Sequence, residues 1–192
     1  MTLHRDALTT LTAWVPPNAE QAALRDRFGG HLYDHPDGME RSCHPDHLTA
    51  STVVLSSDGT EVLLTLHARA QRWFQFGGHC EGGDQRLVDA ALREATEESG
   101  IEGLRIDSVP IHLDEHAVPF CGDRGDVHHL DVRFVAVAPE SAVHAVSEES
   151  LDVRWWPVSS LGTPAGPPDV SAELIEAVTK ARSRLQESGP RR

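Results

Sequence analysis

No stretch of the sequence approaches the roughly 18 apolar residues of a membrane span. Cationic side chains are also scarce, with 17 Lys and Arg against 30 Asp and Glu, for a net charge of −13 at pH 7. Without a basic face, a general nucleic-acid partner is not expected, and neither is docking on an anionic membrane surface. An anionic substrate would need a cation to bridge it to so acidic a protein. Cys43, Cys80 and Cys121 are odd in number and irregular in spacing. They form neither a disulfide framework nor a paired zinc motif, so reduced thiols in a cytoplasmic protein are expected. The opening residues, MTLHRDALTTLTAWVPP, carry early charges and no apolar run of signal-peptide length. The sequence contains no internal repeat and no low-complexity tract.

What is present is an ordinary globular balance over 192 residues, 39% hydrophobic and 24% charged, which fits one main domain with an extension. Leu8, Leu11 and Val15 fall at helical spacing before Pro16-Pro17 ends the run, and Asn18 can cap a second helix carrying Ala23, Leu24 and Phe28. Residues 1–47 therefore read as a helical extension, available as a lid, an interaction surface or a homodimer contact. Residues 48–187 read as the main domain, and 188–192 as a disordered tail. Val53-Val54-Leu55 and Val62-Leu63-Leu64 flank Asp58-Gly59, a hairpin signal, and their unbroken apolar character predicts strands covered on both faces. Arg72 to Phe76, a weak run at 104–113, His128 to Ala138 and Leu151 to Val158 predict further strands. One helix lies within this series and another, capped by Ser171, closes it. The class expected is α/β, a mixed sheet sandwiched between helices.

The informative segment is the glycine-rich loop GGHCEGGDQ followed by LVDAALREATEESG, with Gly100 as the helix stop. With Glu94 at zero and about 100° per residue, Glu97 falls near 300° and Glu98 near 40°. The three carboxylates thus share one face beside an apolar stripe of Val88, Ala91, Leu92 and Ala95. Like charges at i,i+4 cost a few tenths of a kcal/mol, and anions near a helix C-terminus about 0.3–1 kcal/mol each. Arg93 can pair with Glu97 but cannot neutralise all three. A divalent cation can, and carboxylate oxygens suit Mg²⁺ or Mn²⁺. Glycines in the loop let backbone groups approach the same ion.

This segment resembles the Nudix box, whose pattern is Gly, five residues, Glu, seven residues, then Arg-Glu-apolar-any-Glu-Glu-any-Gly-apolar. Arg93-Glu94-Ala95-Thr96-Glu97-Glu98-Ser99-Gly100-Ile101 matches the second half at every position. The first half departs twice. Asp84 stands where the family has Glu, and eight residues rather than seven separate it from Arg93. An acidic residue shortly before a Trp-containing strand, near Glu149 and Trp155, also resembles the family's arrangement.

The resemblance implies a MutT-like hydrolase of the Nudix fold that uses divalent metal (Mg²⁺ or Mn²⁺) and water attack on phosphorus to cleave a diphosphate linkage in a nucleoside diphosphate derivative. A nucleoside triphosphate or its oxidised form is the first substrate expected, with ADP-ribose and dinucleoside polyphosphates as alternatives. Glu94, Glu97 and Glu98 are carried over as metal ligands, with the Gly77 carbonyl as a further one. Glu94 or Glu98 would also hold or deprotonate the water, and Arg93 would orient a glutamate by salt bridge. Glu149, then Glu148, is the candidate base or extra ligand from outside the motif. His129, Asp131 and Arg133 alternate onto one face of their strand and could line the substrate pocket. Trp73, Phe74, Phe76 and Cys80 are expected to serve packing. Two rivals are a Nudix fold that binds a nucleotide sugar without hydrolysing it, and an isomerase of isoprenoid diphosphates. The first is disfavoured by the intact glutamates, the second by cysteines without a recognisable catalytic context.

Overall fold

The structure, a computed structural model, describes residues 2–119, 121 and 125–187; the expected tail 188–192 lies outside them. Two helices open the chain, α1 (Leu3–Ala13) and α2 (Ala19–Asp34). Strands β1 (Asp46–Leu55), β2 (Glu61–His67), β3 (Trp73–Phe74) and β4 (Phe76–His79) follow. Then come helix α3 (Leu87–Ser99), strands β5 (Arg105–Ile106), β6 (His112–Ala117), β7 (His128–Val137) and β8 (Ser150–Pro157), and helix α4 (Ala172–Glu187). The weak run at 104–113 divides into the ends of two short strands, because Pro110 interrupts it.

The sheet is mixed. β1 and β7 run parallel at its centre, paired over ten positions from Asp46↔His128 to Leu55↔Val137. Around this pair the sheet forks. β4 and β6 join at one end, opposite Thr49–Thr52 of β1 and His128–Arg133 of β7. β2 and β5 join at the other end, and β8 and β3 extend the sheet from β2.

Both central strands are buried on two faces, as their apolar runs predict. Leu48, Ala50 and Val54 of β1 face α3 and the N-terminal helices, whereas Val53 and Leu55 lie under Leu174, Ala177 and Val178 of α4. On this second face the chemistry changes part-way along. β1 reads His47, Thr49, Ser51, then Val53, Leu55; β7 reads His129, Asp131, Arg133, then Val135, Val137; and the register sets the two series side by side. The apolar halves are covered by α4, and the polar halves floor a cavity.

The N-terminal helices are integral to the core. Leu11, Phe28 and Leu32 are at most 1% exposed and share one cluster with Leu48, Leu87 and Phe134. The side-chain amide of Gln21 on α2 accepts from the Leu113 N–H at 2.7 Å and donates to its carbonyl at 2.9 Å, docking the helix on β6. Asp6 of α1, nearly buried, accepts the Leu87 N–H at 2.8 Å. It thereby caps α3, whose N-cap residue Arg86 makes no side-chain cap bond.

Candidate active site

The cavity has a volume of about 940 Å³, and its lining includes Gly77, Gly78, Glu98, Glu149, Asp131 and Arg133. Helix α3 enters beside β4. The Glu98 Oε2 accepts from the Gly77 N–H at 3.1 Å, and the Glu94 carboxyl lies against Gly78. A Cβ on Gly78 would meet that carboxyl at 2.8 Å, and a Cβ on Gly77 would sit 2.3 Å from Ser51. Gly77 is therefore required by close approach to a central strand, whereas at Gly78 the close neighbour is a side-chain carboxyl. Gly100, in the left-handed region at φ 68°, ends α3 as its pattern predicts.

Arg93 organises the loop. Its guanidinium donates to Asp84 at 3.2 and 3.0 Å, to Glu94 at 3.0 Å, to Glu97 at 3.2 Å and to the His79 carbonyl at 3.0 Å. Asp84, with a side chain 7% exposed, is committed to this pair and to the Glu81 N–H at 2.8 Å. That explains how a residue shorter than Glu is accommodated at its position. Glu97 points more to solvent, its side chain 62% exposed. Among the described residues, Glu98 receives no such cation. Burial, with Glu94, Glu149 and Glu97 nearby, pushes its carboxyl up to about 8 against one opposing N–H from Gly77. Burial likewise raises Glu94, though Arg93 opposes the shift. This collection of hard oxygen donors around an uncompensated carboxylate fits a divalent cation, with Glu94, Glu97 and Glu98 as the residues that could hold it. Glu148 and Glu149 line the same cavity at the start of β8.

The sheet floor supplies a second polar group. Asp131, 3% exposed, accepts from Thr49 at 3.1 Å and from Ser51 at 2.6 Å. Arg133 donates to Asp131 at 3.1 Å and to Asp114 at 2.6 Å, while its Nη1 is buried without a hydrogen-bond partner among the described residues. His129, Asp131 and Arg133 thus share the cavity face that their alternation predicts. His128 instead lies by Asp46, at 3.4 Å. Trp73 and Phe76 are core residues, whereas Phe74 reaches the cavity wall. Cys80 packs against the main cluster, its thiol pushed up to about 12 chiefly by burial. All three cysteines are free.

One grouping has no signature in the sequence, which carries no zinc motif: His47, His79, His129 and Cys121 converge, all but His47 lining the cavity. Burial holds His79 down at about 4 and His129 at about 2, the neighbouring imidazoles adding to both shifts. The four residues come from three strands and a connecting segment, so their linear spacing carries no signal.

The NUDIX domain family model matches residues 45–178. The chain belongs to the Nudix family. Solved structures share the Nudix fold at low identity. A Caenorhabditis elegans Ap4A hydrolase is 21% identical, with 73% of this chain and 98% of that one covered and a TM-score of 0.58. The NUDIX domain of Shewanella oneidensis NrtR, solved with ADP ribose, is 20% identical over 76% and 92%, with a TM-score of 0.56. A MutT protein of Methanosarcina mazei is 18% identical over 76% and 99%, also with a TM-score of 0.56. No curated protein matches the sequence. The Nudix assignment and the hydrolases among these neighbours support a pyrophosphohydrolase. Among the described residues, no helix is long and apolar enough to cross a membrane.

Proposed function

We propose that this Nudix protein is a divalent-metal-dependent hydrolase that cleaves a diphosphate linkage in a nucleoside diphosphate derivative, with a nucleoside triphosphate or its oxidised form as first substrate and a nucleoside monophosphate as product. The observation that carries this reading is the Glu98 carboxylate, set into the cavity near Glu94 and Glu149 with, among the described residues, the Gly77 N–H opposing its charge. A Mg²⁺ or Mn²⁺ ion held by Glu94, Glu97 and Glu98, with the Gly77 carbonyl as a further ligand, would neutralise phosphoryl charge and acidify a bound water.

The chain's own groups divide the remaining work. Arg93 keeps Glu94 and Glu97 in place and ties them to the loop through Asp84. Glu149, which lines the same cavity just before β8, would serve as a base acting on water. Glu98 or Glu94 can share that role. Arg133, fixed in place by Asp131 and Asp114, brings a guanidinium charge to the sheet floor, suited to an anionic substrate. His129 borders the same floor. The free thiols support a reducing, cytoplasmic setting.

The cavity volume of about 940 Å³ favours a second reading of the substrate, ADP-ribose or a dinucleoside polyphosphate, since it is ample for two moieties joined by phosphates. A single screen separates the two readings: the purified chain with Mg²⁺ or Mn²⁺ against nucleoside triphosphates, 8-oxo forms, ADP-ribose and dinucleoside polyphosphates, with products resolved chromatographically and Glu98→Gln as control. Metal-dependent release of a nucleoside monophosphate, abolished in the control, is expected. No turnover on any diphosphate would overturn the hydrolase reading in favour of a nucleotide-binding module.

A further inference from the structure

We propose that His47, His79, His129 and Cys121 form a closed, four-coordinate site for a zinc-class divalent ion, separate from the carboxylates of α3. The inference does not rest on the hydrolase reading, because it concerns different side chains and a different donor chemistry.

The sheet builds most of the site. His47 and His129 are direct partners in the parallel β1–β7 register, and so project from the same face. His79 stands on β4 opposite Thr49, one side-chain step along that face from His47. Cys121, 4% exposed, is held over them by its N–H to the Val118 carbonyl at 2.9 Å and by packing against Val118 and Val127. One ligand atom from each of the four lies within 4.8 Å of all the others. The Nε2 atoms of His47 and His79 are 3.1 Å apart, and the Cys121 Sγ is 3.4 Å from His79 Nε2 and 3.9 Å from His47 Nε2. Around a tetrahedral zinc with Zn–N near 2.0–2.1 Å and Zn–S near 2.3 Å, two nitrogens sit about 3.3 Å apart and nitrogen and sulfur about 3.5 Å apart. The observed nitrogen–nitrogen separation falls slightly short of its value, and the two nitrogen–sulfur separations bracket theirs.

Hydrogen bonding points the same way. His47 Nδ1 lies 3.1 Å from the Cys43 carbonyl. Donation there leaves Nε2 with its lone pair directed into the cluster, the outer support that metal-bound imidazoles have. His129 Nε2 is buried with no hydrogen-bond partner among the described residues, an omission that a purely hydrogen-bonded cluster would not leave. Three imidazoles and a thiolate form a borderline-soft donor set that suits Zn²⁺ and not Mg²⁺, the reverse of the set on α3.

The ion would pin Cys121 to the sheet end and stiffen one wall of the cavity. His79 is two residues, about 7 Å, along β4 from Gly77, and its carbonyl is held by Arg93 at 3.0 Å. The site is thus mechanically joined to the motif loop while remaining chemically distinct from it.

The test uses the full chain, stripped with chelator under reducing conditions and titrated with Co²⁺ as the probe. One equivalent is expected to produce the visible bands of tetrahedral cobalt and a thiolate-to-cobalt charge-transfer band, both removed by Zn²⁺ but not by excess Mg²⁺. Metal analysis of the unstripped protein is expected to find one zinc per chain. Cys121→Ser should lose the charge-transfer band yet keep cobalt d–d absorption from the three imidazoles, which shows that it is folded. Glu98→Gln and Cys80→Ser should leave the whole spectrum intact. Absence of tetrahedral bands, a charge-transfer band that survives Cys121→Ser, or one lost in Glu98→Gln would each overturn the proposal.

Discussion

Glu98 and the glycines beside it carry opposite kinds of constraint, one electrostatic and the other steric. Without a cation, the folded Glu98 carboxyl keeps its proton up to about pH 8, whereas its ordinary value is 4.5. The folded state then binds more protons than the unfolded state between those values, so this group's contribution to stability falls as pH rises through that window. Glu98→Gln mimics the protonated form. In metal-free protein, the wild type should match this variant near pH 5 and fall below it by pH 8, as read from denaturant midpoints at each pH. With Mg²⁺ present, the same variant should lower kcat by more than about 100-fold, since even indirect partners of a metal site are typically worth 10–100-fold. Equal pH dependence of the two proteins would show that the carboxyl is not desolvated. Gly78→Ala presses a methyl on the Glu94 carboxyl, the movable end of a side chain, whereas Gly77→Ala presses on Ser51 and the Ala50 carbonyl, which are fixed in a central strand. The first should lose activity with little change in melting temperature, and the second should fail to fold stably. Thermal scans paired with activity assays distinguish these outcomes.

Among the elements, α3 has its position set in part from far away in the chain. Its N-terminus is capped by Asp6 of α1, 81 residues earlier. Asp6→Ala leaves the Leu87 N–H without its acceptor and should destabilise the protein by about 1 kcal/mol. The loss should appear in urea unfolding and carry some of the activity with it, because α3 bears the glutamates. Phe28 of α2 is fully buried in the cluster shared with α3 and β1. Phe28→Ala should cost about 3–5 kcal/mol, the usual range for emptying a core aromatic site. A chain beginning at residue 48 should be insoluble or unfolded, and a cooperative melt from such a truncation would show that the helices are dispensable.

For the molecule as a whole, buried neutral histidines set the acid limit. His79 and His112 titrate at about 4 and His129 at about 2, each chiefly through burial. The unfolded chain takes up their protons near 6.5, so their contribution is full above that pH and is lost as pH falls toward 4. Metal-free protein should lose stability steeply below pH 6. Within the three-histidine cluster, zinc should shift that limit to lower pH, because bound imidazoles must be unprotonated. Equilibrium unfolding from pH 7 to 4, with and without Zn²⁺, measures both effects.

What the chain alone determined was local. The helix of α3, its shared carboxylate face, its stop at Gly100 and its pairing of Arg93 with Glu97 follow from spacing of a few residues on one helix, and the unbroken apolar runs of β1 and β2 follow from burial on both faces. The alternation placing His129, Asp131 and Arg133 on one side of β7 was legible for the same reason. Tertiary structure decided which groups from distant segments meet. It brought Asp84 onto Arg93, packed the N-terminal helices against α3 and β1 through Phe28 and Asp6, and set the polar half of β1 beside that of β7. Within the grouping of His47, His79, His129 and Cys121, the meeting of His47 with His129 follows from that parallel register, a pairing of segments some 80 residues apart. No local periodicity encodes it, because strand order and register are chosen by how whole faces bury together.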